Sequence, residues 1–373
     1  MSIPHRVILS IGTKKGVFTA EAPAGRRDRF ALRGPFGAGV AVYATLIDTR
    51  GTPRLYASSC NPFFGMKVLR STDLGKTFKE TRSAPVFPKD DGRALANIWA
   101  LEPGAGKKDL WCGVEPASLF RSEDGGDSWE MVPGISNHPH ARQWQPGNGG
   151  LCLHTILSDG NRVHVGISTG GHYLSEDGGV TFAAANKGVG AGFSPDPYPE
   201  FGQCVHKIAG HKDAPGRLYM QNHGGWAEWD GPGGRRPDIG VLRSDDHGRT
   251  WRSIAKGLPS DFGFPIVVHP HDPDTVYVMP HEGMTRTCPG AAPAVWRSED
   301  GGDSWRRLAK GFPKKESFFT VQRDGMDVDE LDSPALYFGT TTGQLWIGRD
   351  AGEEWSCLFD SLPPIHCVKV AVV

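Results

Sequence analysis

The sequence has no run of 18 apolar residues, which argues against a membrane-spanning helix. Its opening, Met1-Ser-Ile-Pro-His5, lacks the apolar core of a secretory signal. Net charge is nearly absent: 41 Lys and Arg stand against 42 Asp and Glu, a formal charge of -1. No global field therefore draws the chain to nucleic acid. There is no Cys-x-x-Cys pair, and the seven cysteines are odd in number and scattered. That argues against a disulfide framework and fits free thiols in a reducing compartment. The expected location is the cytoplasm, with neither nucleic acid nor membrane as partner.

What the chain has in quantity is turn-forming residues, 50 Gly and 29 Pro, as many short strands require. It also has one short phrase, said six times. The clearest copies are Ser122-Glu-Asp124-Gly-Gly126-Asp-Ser128-Trp129 and Ser298-Glu-Asp300-Gly-Gly302-Asp-Ser304-Trp305. Others run Ser71 to Phe78, Ser175 to Phe182 and Ser244 to Trp251, with a worn copy at Gly348 to Trp355. Successive copies start about 50 to 70 residues apart, the mark of a repeat architecture. In Ser-x-Asp-x-Gly-x-Thr/Ser-Trp/Phe the Asp can accept hydrogen bonds from its own turn and the Gly can take a positive φ. Such a turn suits an antiparallel hairpin.

The phrase resembles the Asp box of sialidase-like and related propellers. The resemblance implies a structural box lying away from any active site, so these Asp residues read as turn locks. Up to three strand candidates precede each copy and one follows, giving four strands per unit. In unit three, for example, these are Ile98–Glu102, Asp109–Val114, Ser118–Arg121 and Trp129–Val132. Unit five starts at Cys204, unit six at Phe264 and unit seven at Phe318. Arg6–Ile11 and Gly16–Ala20 read as second and third strands without a first, and His366–Val373 as a first strand with nothing after it. Joined, they complete a ring and remove the open sheet edge. The expectation is an all-β chain, a single seven-bladed β-propeller domain over residues 1–373, its first blade closed by strands from both termini. A six-bladed ring is the alternative.

Five long segments, residues 80–94, 133–150, 183–203, 223–239 and 281–293, all fall on the face away from the boxes. Long loops on a rigid scaffold concentrate function. Aligning the repeats against one another marks unusual positions at that face. The upper ends of the second strands carry Gly12, Cys60, Glu115, Ser168, His223, His281 and Thr341. Small residues are the default, and Glu115, His223 and His281 depart from it. The first strands place His154 and His206 at equivalent positions, with His366 as their match in the closing blade. Inner strands line the channel, so these side chains are expected to converge at its mouth. Imidazoles with a carboxylate suit a divalent transition metal such as Zn or Mn.

The candidate site is therefore His154, His206, His223 and His281 as metal ligands, with Glu115, His223 and His281 as catalytic groups. Arg142, Trp144, Trp226 and His366 are candidate substrate contacts. A polar, water-filled channel is the alternative for the histidines. The first functional expectation is a metal-dependent hydrolase acting on an ester, lactone or phosphoester. A glycan-active enzyme, glycosidase or uronate lyase, could use the same parts. A non-catalytic binding or assembly scaffold is the third reading. Resemblance to bacterial Asp-box proteins labelled glycosyl hydrolase rests on Glu200-Phe-Gly-Gln-Cys204-Val-His206-Lys and Gln221-Asn-His223. No Arg-Ile-Pro motif of true sialidases occurs. The paired catalytic aspartates of two-domain Asp-box xyloglucanases have no recognisable counterpart. The partner expected is a small molecule or glycan.

Overall fold

The computed structural model describes residues 5–224 and 239–373. It is a ring of seven four-stranded antiparallel sheets. Each box fastens the third strand of a blade to the fourth. In the third blade, Asp124 Oδ1 accepts the backbone N–H of Asp127 and of Ser128, both at 2.9 Å. Its Oδ2 accepts the Ser128 hydroxyl at 2.7 Å. Ser122 Oγ donates to Asp124 and accepts the Gly126 N–H at 2.8 Å. Gly126 holds φ at 92° to allow that approach, a conformation a side chain would strain. The same bonds recur around Asp73, Asp177, Asp246 and Asp300. The sixth copy has Glu354 where the hydroxyl should be and becomes a short helical turn, Arg349–Gly352.

The two ends of the chain close the first blade, whose strand order is Ile365–Val372, Arg6–Thr13, Gly16–Pro23 and Ala31–Phe36. The first strands of the seven blades touch one another in cyclic order, the last against the first. The fourth strand of this blade carries no box and is invisible to the repeat. One expected boundary moves: the seventh blade's first strand is Met326–Val328, not a run from Phe318. It is three residues long, too short to show alternation.

The core is a set of inter-blade clusters. One brings Trp111, Leu119, Val165 and Tyr173 together, and another Phe312, Phe338, Trp346 and Trp355. His164 and His172 are buried between blades four and five, Nδ1 of one 3.1 Å from Nε2 of the other. All seven cysteines are free. Among the described residues no helix is long and apolar enough to cross a membrane.

Candidate functional site

Five of the seven inner strands share one irregularity near their upper ends. In blade five, Val205 pairs with Asn222 and Lys207 with Gln221, so His206 has no partner across the ladder. The register slips in the same way at Trp99, His154 and His366, and around Phe264. A bulge of this kind re-aims the extra side chain. The expected equivalence of His154, His206 and His366 is therefore present in the backbone, as one bulge repeated around the channel.

In blade five the bulge meets two neighbours. Cys204 immediately precedes the first strand, Val205–His211, and His223 follows the second, Ala214–Asn222. The His223 N–H donates to the Cys204 carbonyl at 2.9 Å, locking the two ends together. Ligand atoms of Cys204, His206 and His223 all lie within 4.8 Å of one another. His206 Nδ1–H donates to the Gly263 carbonyl at 2.6 Å. A carbonyl only accepts, so that bond fixes the tautomer and leaves Nε2 of the neutral ring as a lone pair. Phe264 stacks on His206 at 4.9 Å, and Phe262 packs edge-on to His223 at 5.1 Å. Burial pushes the His206 imidazole well below its ordinary range, with the charge of Arg323 adding to it. Burial, then Arg286 and Arg323, lowers His223 to about 4. Both rings are neutral at pH 7.

The trio opens into a pocket of about 720 Å³. Its walls come largely from three of the five long segments, at residues 143–149, 193–202 and 283–286, with His223 at the start of a fourth. Phe193, Phe201, Phe262 and Phe264 give it apolar faces, and Gln143, Gln145 and Asn148 give it polar edges. No lining residue among those described is Asp or Glu.

The other candidates lie elsewhere. His281 is fully buried one ring away, 5.8 Å from Phe264, and its Nε2 accepts the Val321 N–H at 3.2 Å. That bond ties blade six to blade seven. His154 is buried outside the trio. Glu115 accepts from Asn97 and from the Trp99 indole at 2.9 Å, on the blade-three side of the mouth. His366 lies tilted against Tyr43, ring centroids 4.8 Å apart. Trp144 is buried, donating to the Tyr173 hydroxyl at 3.0 Å, so it anchors its loop and does not face a substrate. Arg142 borders a separate recess of about 320 Å³. Trp226 lies outside the described residues.

Sequence reading passed over Cys204, Phe262, Arg286 and Arg323. Cys204 was visible as the start of unit five, two residues before His206, and read as one more free thiol.

No family model matches the chain. A xyloglucanase from Paenibacillus sp is 27% identical over 299 residues, covering 74% of this chain and 26% of that protein. The chain thus spans about a quarter of the length of this curated relative. The structure is similar to the GH74 xyloglucanase from Xanthomonas campestris, with a TM-score of 0.63 and 20% identity over 94% of this chain and 52% of that one. It is also similar to YCF48 bound to D1 peptide, with a TM-score of 0.54 and 13% identity over 85% of this chain and 82% of that one. These structural likenesses show the propeller fold.

Proposed function

We propose that the protein is a metal-dependent hydrolase of a glycan, working in the pocket over blades four to six. The observation that carries this reading is the convergence of Cys204, His206 and His223 inside that pocket. A thiolate and two neutral imidazoles are a three-ligand set that leaves a position open, as catalytic zinc sites do. The thiol favours zinc over manganese, which prefers oxygen ligands. Both imidazoles are already neutral, and the Gly263 carbonyl already orients one of them. The bound metal would supply a Lewis acid and a water of lowered pKa. The chain supplies the rest: Phe262 and Phe264 hold the ligand rings in place, and Phe193 and Phe201 offer flat apolar faces to a sugar. Likeness to xyloglucanases supports a glycan as substrate.

The two carboxylates a glycosidase places about its scissile bond are absent from the described lining. Metal-assisted attack at an ester or lactone carbonyl of the sugar fits these walls better than cleavage of a glycosidic bond. The test is hydrolysis of acylated and lactonised sugars, beside xyloglucan oligosaccharides, before and after chelation. Chelation should abolish activity and zinc should restore it. Cys204→Ser and His206→Ala should each lose more than about 100-fold, beyond the range seen when only a supporting contact of a metal ligand is removed. Full activity in chelated protein would overturn the reading.

A further inference from the structure

The pocket that holds the trio also holds two guanidinium groups, Arg286 and Arg323. Many arginines in this protein are matched to acids, among them Arg50 with Asp48, Arg93 with Asp91, Arg243 with Asp245 and Arg306 with Glu353. Arg286 and Arg323 have no such partner among the described residues. Arg323 is half-buried, stands 5.8 Å from the Phe264 ring centroid, and its Nε is buried without a hydrogen bond among those residues. The chain folds close over it, since a Cβ at Gly149 would come within 3.4 Å of its Nη2. The neighbouring acids are committed elsewhere. Asp324 is bound by Lys207, and Glu115 by Asn97 and Trp99. A partly desolvated guanidinium without a counter-ion is costly, and its fork of donors matches the oxygens of an anion.

We propose that the pocket selects an acidic glycan, and that Arg323, assisted by Arg286 at the rim, receives its carboxylate or sulfate ester above Cys204, His206 and His223. This rests on the reading that the pocket takes glycans. It does not rest on the metal. Aromatic faces and two cations, in a cavity with no carboxylate among its described lining residues, suit a sugar ring bearing negative charge.

The experiment is calorimetric binding to chelated protein, in which turnover through a metal cannot interfere. The ligands are trigalacturonate, the neutral α-1,4-galactotriose, and a sulfated galactose trisaccharide. Trigalacturonate or the sulfated sugar should bind about tenfold or more tighter than the neutral one, and whichever does identifies the anion. Arg286→Gln, an exposed position, should lose part of that preference, and Arg323→Gln with Arg286→Gln should lose all of it. Circular dichroism verifies that the variants are folded. Equal binding of neutral and acidic sugars overturns the proposal, as does a preference that survives in the double variant. Failure of every sugar to bind overturns the glycan reading and this inference together. Failure of the metal alone leaves the charge preference measurable and intact.

Discussion

Removal of residues 366–373 is expected to leave a chain that does not reach a soluble folded state. Those residues carry nearly all of the inner strand of the first blade, Ile365–Val372. That strand pairs with Arg6–Thr13 from Val7↔Val372 to Thr13↔Ile365. Cys367 and Val368 are fully buried. The Val368 N–H donates to the Asp324 carbonyl of blade seven at 2.7 Å, and Lys369 reaches Glu102 of blade three at 3.1 Å. The strand therefore fastens three blades at the channel. A buried aliphatic side chain stabilises by about 1.5–3 kcal/mol and each backbone hydrogen bond by about 1 kcal/mol. The loss rivals the ~5–15 kcal/mol that separates a folded domain from its unfolded state. It also bares the edge of Arg6–Thr13 to other chains. Soluble yield and thermal melting check this. A truncated protein that melts like the full chain would contradict closure by both ends.

Acidification should destabilise the fold steeply below pH 6.5. Burial lowers the imidazole of His281 to about 4. It likewise holds the His164–His172 pair well below the ordinary 6.5. The unfolded chain takes up protons at these positions first as the pH falls. Stability is therefore full above about pH 6.5 and is lost as the pH drops toward the folded values. Each such group costs about 1.4 kcal/mol per pH unit within that window. The three together make a slope of roughly 4 kcal/mol per unit near pH 5. The five box carboxylates do not contribute there, because the turn hydrogen bonds hold Asp73, Asp124, Asp177, Asp246 and Asp300 at about 2. Their stabilising contribution is lost only as the pH falls from the ordinary carboxylate range toward that value. Urea midpoints at pH 7.5, 6 and 5 measure the slope, and an unchanged midpoint at pH 5 would contradict it.

The blades were legible because the box is a local device. Its Asp, Gly and hydroxyl satisfy one another within eight residues, so the pattern survives in the sequence whatever surrounds it. Where the device is missing or worn, the blades are still legible but one strand and one strand start are not. Ala31–Phe36 follows no box, and Met326–Val328 is too short to alternate. The site was legible only as far as repeat alignment reached. His206 and His223 are marked by their places on paired strands, and they meet. His154, His206 and His366 share a bulge, but their different neighbours send them to different ends. His281 looks equivalent to His223 until Phe264 stands between it and the trio and Val321 takes its Nε2. Cys204 and Arg323 lie outside the strands, where no periodicity marks them, and only the tertiary fold brings them to the same cavity. Trp144 anchors its loop on Tyr173, and a loop aromatic gives no sign in the sequence of which way it turns.

Cys204, His206 and His223 are proposed to form one metal site. Cobalt titration into protein purified without a histidine tag tests it most directly, because a thiolate ligand announces itself by a sulfur-to-cobalt charge-transfer band. One cobalt per chain should bind, with that band present in the full protein. The band should vanish in Cys204→Ser, while His223→Ala should lose the metal with its circular dichroism unchanged. Failure of the folded protein to bind cobalt, or a full band in Cys204→Ser, would contradict the account.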